Sequence, residues 1–373
     1  MLTQPFAEAL AEAEKLIASA PHVRTEQDLR EGYDYLAGSI RASLQLAWAY
    51  ERDFPFFVQS TGPYTKMGLD NPDTLYYHAY VSDNARYVVS GRRGTTADLS
   101  FQVMNGDYSP VDVPDSLTAF DDRSLDVDSS GNFEFELGPL PPGSAMLIVR
   151  EVYSDWEHEE RGVIRIHRPD RAGLAPKPGD PAKRYGVAGK ILLSRLRTFL
   201  AFPEWFYLKL PVNTLTEPRL TPGGLSTQYS SVGHFELGED QAMVVTVPAS
   251  DAPYQGIQLG SMWYISMDYI NHQTSLTRDQ AVIDSDGFIR YVISERDPGV
   301  SNWLSLLGHR RGYVQLRWQR LSRALTAADG PTVEVVPFES VHAELPYDQR
   351  ISPQDWAARI AARQAAVARR MLA

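Results

Sequence analysis

Two short stretches set side chains that can move protons beside side chains that can orient them. The first runs Tyr64-x-Lys66-x-x-x-Asp70-Asn71-Pro72-Asp73 and leads into Tyr76, Tyr77 and His78. A lysine, two carboxylates and phenols at the start of a strand could form an acid–base set or an oxygen-rich cation site. The spacing is not that of an EF-hand loop, and no metal is assigned. An Asx-type turn would explain Asn71-Pro72-Asp73 without any chemistry. The second stretch is Asp268-Tyr-Ile-Asn271-His272-Gln273-Thr-Ser275-Leu-Thr-Arg278, just after a strand that carries Trp263 and Tyr264. His272 has several neighbours that could fix its tautomer, as a general base requires. The plainer alternative is a histidine that only holds its loop.

Two basic clusters, Arg92-Arg93 and His309-Arg310-Arg311, flank strands and could hold a carboxylate or phosphate. Solvated turn charges are the other reading. Trp303, next to Asn302 in a Pro-Gly loop, could floor a pocket or anchor the loop. The set expected to act is therefore Lys66, Asp70, Tyr77 and His272 as acids and bases. Arg92 or Arg278 would orient a substrate oxygen. Tyr64, Asn71, Asp73, Trp263, Asp268, Asn271, Gln273 and Trp303 would contact the substrate.

Several chemistries lack their motifs. The chain has no Gly-rich phosphate loop, no GxGxxG after a strand, no HExxH and no GxSxG. No organic cofactor is expected. There is no cysteine, which excludes disulfides and thiolate chemistry. A net charge of -11 over 373 residues argues against a nucleic-acid surface. No apolar run approaches the length of a membrane span, and the N-terminus lacks the pattern of a signal peptide. The expected setting is cytoplasmic, with a small-molecule substrate as partner, no membrane, and a homo-oligomer left open.

The positioning elements follow from periodicity. Residues 6–20 and 26–51 repeat apolar positions at helical steps, with Thr25 as N-cap of the second. Strands are expected at 75–81, 86–91, 97–104, 133–137 and 145–153, separated by Gly, Asn and Asp turns. Residues 169–184 form a Pro-rich linker, and 185–210 an apolar helix interrupted at Pro203. Further strands are expected at 226–236, 241–247, 256–267, 280–284, 288–295 and 312–321. A last helix starts at Ser352-Pro353. This divides the chain into 1–53 (helical), 54–168 (first β module), 169–213 (linker and apolar helix), 214–340 (second β module) and 341–373 (C-terminal helix).

The β modules repeat. LDVDSSGNFEFEL (125–137) matches AVIDSDGFIRYVI (281–293), each an Asp-x-x-Gly hairpin followed by an alternating strand. Each is followed by a Pro-Gly loop and a closing strand with an outward arginine, LIVREVY and VQLRWQR. The fold class that follows is mainly β with helical additions, two related antiparallel β-sandwich-like modules packed with N-terminal, central and C-terminal helices. A duplicated module offers a cleft between its copies.

SLTRDQAVIDSDGFIRYVISERDPGVSNWL (275–304) resembles the C-terminal module of the bacterial proteins grouped as domain of unknown function 1214. KMGLDNPDTLYYHAYV (66–81) with SGRRG (90–94) is similar to the N-terminal module of their longer members. The first module lacks the Asn-Trp pair of 302–303, and Met67 stands where that family often has tryptophan. The resemblance implies paired β-sandwich-like modules and tilts expectation towards a small-molecule enzyme. The expected function is a cofactor-independent lyase, isomerase or hydrolase acting on a largely apolar ring compound (steroid-, terpenoid- or aromatic-like). The alternative is a carbohydrate or small-ligand binding protein with a β-sandwich groove.

Overall fold

Helix α1 (Gln4–Ala18) and helix α2 (Glu26–Trp48) open the chain in a computed structural model that describes residues 1–106, 114–221, 228–345 and 349–372. Thr25 accepts the Asp28 N–H while the Asp28 carboxylate accepts the Thr25 N–H, a full capping box that fixes where α2 begins.

The first sandwich comprises β1 (Thr74–Tyr80), β2 (Tyr87–Arg92), β3 (Asp98–Met104), β4 (Ser116–Asp121), β5 (Asn132–Leu137), β6 (Met146–Val152) and β7 (Val163–His167). Helix α3 (Pro181–Phe206) follows, capped by Asp180 with Pro181 in its first turn. The second sandwich begins with β8 (Arg219–Leu220), β9 (Tyr229–Glu236), β10 (Gln241–Pro248) and β11 (Tyr254–Ser261). It continues with β12 (Ile265–Ser266), β13 (Ser275–Thr277), β14 (Phe288–Ser294), β15 (Trp303–Ser305), β16 (Arg311–Gln319) and β17 (Thr332–Pro337). The short α4 (Val341–Glu344) and the long α5 (Pro353–Leu372) close the chain.

The strand order β1-β6-β3 in one sheet of the first sandwich recurs as β9-β16-β11 in the second. The order β5-β2-β7 in the facing sheet recurs as β14-β10-β17. These pairings are all antiparallel, and both hairpin glycines, Gly131 and Gly287, sit at φ 83°. The protein is mainly β, and the repeat read from its turns is a repeat of topology. Each sandwich has its own core. Phe101, Leu147, Val149 and Tyr87 fill the first, and Leu259, Ile289, Val314 and Leu316 the second.

Several elements differ from expectation. Residues 280–284 do not extend the sheet; the pairing strand lies earlier, at Ser275–Thr277, because Asp284 is drawn into bonds with Arg290 and Gln349. β4, β7, β8, β15 and β17 are additional. Pro203 lies inside α3, which ends one turn later at Phe206. The first two positions of the strand expected at 226–236 lie outside the described residues.

α1, α2 and α3 bury Ile17, Leu36, Leu192 and Leu196 against Trp263 and Ile265 of the second sandwich. Leu46 of α2 reaches Tyr80, Met146 and Ile148 of the first. The helical layer thus braces both halves. Among the described residues, no helix is long and apolar enough to cross a membrane.

Candidate functional site

β16 alternates strictly. Val314, Leu316 and Trp318 enter the second core, while Tyr313, Gln315, Arg317 and Gln319 point the other way. Such a polar face normally meets water. Here Gln315 is 6% exposed and Arg317 8%, because the equivalent face of the first sandwich lies opposite. That face carries Tyr76 and His78 of β1 with Ile148 and Arg150 of β6. Two polar sheet faces are therefore turned inward onto each other.

They do not meet completely. A cavity of about 150 Å³ lies between them. A dry cavity of roughly that volume holds one benzene ring. Phe199, Phe202 and Phe206 of α3 form an aromatic wall, and Met67 to Asn71 form another side. Arg219, which is exposed, marks where the wall reaches solvent. Two non-glycine residues of the wall hold left-handed backbone, Leu69 at φ 49° and Tyr264 at φ 58°. The Leu69 N–H donates to the Tyr264 carbonyl at 2.6 Å, which locks the two together. Backbone strain of this kind gathers at binding and active sites.

The repeat also duplicates polar chemistry. Arg150 Nη1 donates to Gln102 Oε1 at 2.6 Å, and Arg317 Nη1 donates to Gln258 Oε1. Arg150 sits opposite Ser100 on β3 and Arg317 opposite Gly256 on β11; each glutamine lies two residues further along. Arg317 Nη2 also donates to the Leu69 carbonyl and to Gln315 Oε1, both at 2.8 Å. Tyr207 donates to the same Gln315 oxygen at 3.1 Å, and Tyr264 to Tyr207 at 3.3 Å.

Of the expected catalytic set, only Asp70 reaches the cavity. Its carboxylate accepts the Ser266 N–H at 3.0 Å and the Ser266 hydroxyl at 2.8 Å, so both oxygens are engaged. Lys66 is a buried tether. Nζ donates to the carbonyls of Ser266 and Met267 at 2.7 and 2.8 Å, over the Tyr269 ring, and burial lowers its pKa. Tyr77 faces the first core, since odd positions of β1 point away from the cavity. His272 lies in a surface loop, 3.3 Å from Asp268, whose carboxylate also caps the Ile270 and Asn271 N–H groups.

The expected binding residues scatter in the same way. Asn71 lines the cavity and donates to the Tyr254 hydroxyl at 2.8 Å. Asp73 lies just behind it. Gln273 donates to the carbonyls of Ser301 and Trp303, and Arg278 to those of Ser250 and Ala252. Trp303 packs on Trp356, and Trp263 donates to the Asp28 carbonyl. Arg92 is exposed on the β5-β2-β7 sheet, and Tyr64 is 71% exposed. The 66–73 loop packs onto the end of the Trp263 strand and meets the Tyr269 ring through Lys66, but no side chain of 268–278 lines the cavity.

The chain shares its fold with a solved bacterial protein. That structure is an uncharacterised protein from Burkholderia cenocepacia, 26% identical, aligned over 90% of this chain and 96% of its own at a TM-score of 0.80. The VPA0106 protein from Vibrio parahaemolyticus is more distant, 13% identical over 82% of this chain and 98% of its own, with a TM-score of 0.44. No protein-family model and no curated protein matches the chain.

The reading of the sequence named Tyr76, His78 and the outward arginines Arg150 and Arg317 without giving any of them a place in the site. His78 is the titratable group with the most to reveal. Nδ1 lies 2.9 Å from the Ser60 hydroxyl, and burial drives its pKa down to about 3, helped by Arg150 and Arg195. Its imidazole is neutral at physiological pH. An unfolded chain takes up this proton below about 6.5, whereas the native state waits until about 3. His78 therefore makes stability fall with decreasing pH across that window, by about 1.4 kcal/mol per pH unit. His78→Gln is expected to lose that slope. Urea unfolding of both proteins at pH 7, 6, 5 and 4.5 checks it; parallel curves would place the imidazole in contact with water. Among the described residues, no group of three or more His, Cys, Asp or Glu stands ready to hold a metal ion.

Proposed function

We propose that the protein binds a small, partly apolar molecule, one ring or its equivalent in size, between its two sandwiches. The observation that carries this reading is the cavity itself, which places arginine, amide and phenol groups opposite an aromatic wall. Binding sites combine apolar lining with a few fixed polar groups in this way. The binding reading gains over the acid–base enzyme because Tyr77 and His272 lie away from Asp70, and Lys66, which shares Ser266 with it, is spent on backbone carbonyls. It also gains because the polar groups of the cavity are already held by neighbours. The quoted motifs keep domain of unknown function 1214 as our family assignment, which brings no activity with it.

The test is calorimetry with a panel of single-ring compounds, among them benzyl alcohol, cyclohexanol and benzoate. At least one is expected to bind saturably at one per chain and to be lost in Val232→Trp, which fills the cavity from β9. If none binds, or if Val232→Trp folds and binds as before, the cavity is not the site.

One observation favours a second reading, turnover of the same ligand. His78 is a neutral imidazole on the cavity wall, steadied by Ser60. Mass spectrometry of a bound compound after long incubation would reveal a product, and His78→Gln would abolish it. An unaltered compound leaves the binding reading alone.

A further inference from the structure

Arg150 and Arg317 have only neutral partners among the described residues. Arg150 is bonded to one amide oxygen, and Arg317 to two amide oxygens and a carbonyl. Neither forms an ion pair with a described residue, although the chain carries eleven more acidic than basic side chains. The one carboxylate of the cavity wall, Asp70, is spent on Ser266, and the one histidine, His78, is uncharged. Arg317 is buried and Arg150 half-buried; a cation withdrawn from water without a counter-charge is costly, and a bound anion lowers the cost. Arg219 adds a third positive charge where the cavity meets solvent. The electrostatic balance of the cavity is thus positive in a protein that is negative overall.

The remaining wall limits what the anion carries. Phe199, Phe202 and Phe206 present ring faces and edges, and Val232 and Ile148 present aliphatic groups. A bare inorganic ion would leave this surface uncovered, and a sugar would set hydroxyls against it. Arginine forks match the planar geometry of a carboxylate.

Resting on the binding reading above, we propose that the ligand is a small carboxylate with an apolar ring or branched body, its carboxylate facing Arg150 and Arg317 and its body facing α3. The two arginines come from equivalent positions of the repeat, so each sandwich supplies one jaw. The ligand closes the gap between the halves and sets its one negative charge between the two arginines.

Titration calorimetry with benzoate, benzyl alcohol and inorganic phosphate separates the possibilities. Benzoate is expected to bind at least about tenfold more tightly than benzyl alcohol, the ratio for one hydrogen bond to a charged group. Phosphate is expected not to compete. In Arg150→Gln the ratio of benzoate to benzyl alcohol affinity should fall towards one, and Arg150→Lys should restore part of it. Equal binding of benzoate and benzyl alcohol would overturn the carboxylate assignment and leave the cavity reading standing. Competition by phosphate at the benzoate concentration would overturn the apolar body. Failure of all single-ring compounds would remove both proposals. The wild-type comparison decides the charge question even if the arginine variants do not fold.

Discussion

Asp73→Ala is expected to destabilise the protein by about 3–5 kcal/mol, the cost of removing one partner from a buried charged cluster. It would appear as a lower urea midpoint with an unchanged slope. The carboxylate accepts the Tyr254 hydroxyl at 2.7 Å and the Trp156 indole N–H at 2.9 Å. Burial pushes its pKa up, while those hydrogen bonds and the charges of Arg370 and Arg363 pull it down. Asp73 therefore joins the 70–73 loop, the first sandwich through Trp156, the second through Tyr254, and the field of the C-terminal helix. Alanine would leave an indole N–H unsatisfied and two buried arginines without their nearest negative charge. Tyr254→Phe, which removes the bond to Asp73 and the one accepted from Asn71 but leaves the carboxylate in place, should cost about 2–4 kcal/mol. A loss below about 1 kcal/mol for Asp73→Ala would mean that water replaces the carboxylate and that this junction is not closed.

A chain ending at Ser352 is expected to lose at least about 5 kcal/mol, which for a protein of ordinary stability means loss of a cooperative unfolding transition. Helix α5 is fastened by arginines that each donate to backbone carbonyls. Arg359 reaches Ser301 at 2.5 Å and also Gln280. Arg363 reaches Tyr269 at 3.0 Å, Arg369 reaches Glu157 at 2.6 Å, and Arg370 reaches Pro72 at 2.6 Å. Hydrogen bonds from a charged donor contribute about 1.5–3 kcal/mol each. Arg363 and Arg370 also lie over the Trp156 ring at 4.5 and 4.3 Å, and Ala366 and Val367 pack with Leu75, Tyr153 and Tyr269. These contacts belong to both sandwiches, so the helix works as a strap across them. Differential scanning calorimetry decides the matter. A truncated chain that melts as one sharp transition near the wild-type temperature would show that the strap is dispensable.

Much of the fold was legible because its signals are local. Thr25 with Asp28 announces α2, Ser352-Pro353 announces α5, and the two Asp-x-x-Gly hairpins betray the repeat. What escaped was short or set by partners. β7 has five residues, and β15 has three and pairs in parallel with β14, an arrangement no local pattern encodes. The site was less legible, and the reason is physical. β16 reads as a half-buried strand, and its Gln315-x-Arg317-x-Gln319 face looks like a surface meant for water. Only the docking of a second sandwich makes that face an interior. β1, TLYYHAY, is covered on both sides, so hydropathy could not say which of its two faces, that of Tyr76 and His78 or that of Tyr77, would line a cavity. The polar residues of 268–278 drew attention because they are dense, yet they serve structure: Asp268 caps its own loop, while Gln273 and Arg278 tie it to backbone carbonyls elsewhere. A usable signal did exist. The outward arginines of LIVREVY and VQLRWQR occupy matching positions of the repeat, and in the structure they are the pair that meets at the cavity.

The matched Arg–Gln pairs also bear on how such a pocket can change over time. In an assembly of two identical subunits, every substitution at a site on the symmetry axis is made twice, and the two walls cannot be tuned apart. Here each wall is written once in a single chain. A change at Arg150 leaves Arg317 untouched. The copies have already parted in this way: the Arg317 guanidinium bonds the Leu69 carbonyl and Gln315 besides its glutamine, whereas among the described residues the Arg150 guanidinium bonds Gln102. One jaw is fixed and the other freer, a division of labour open only to a gene that contains both.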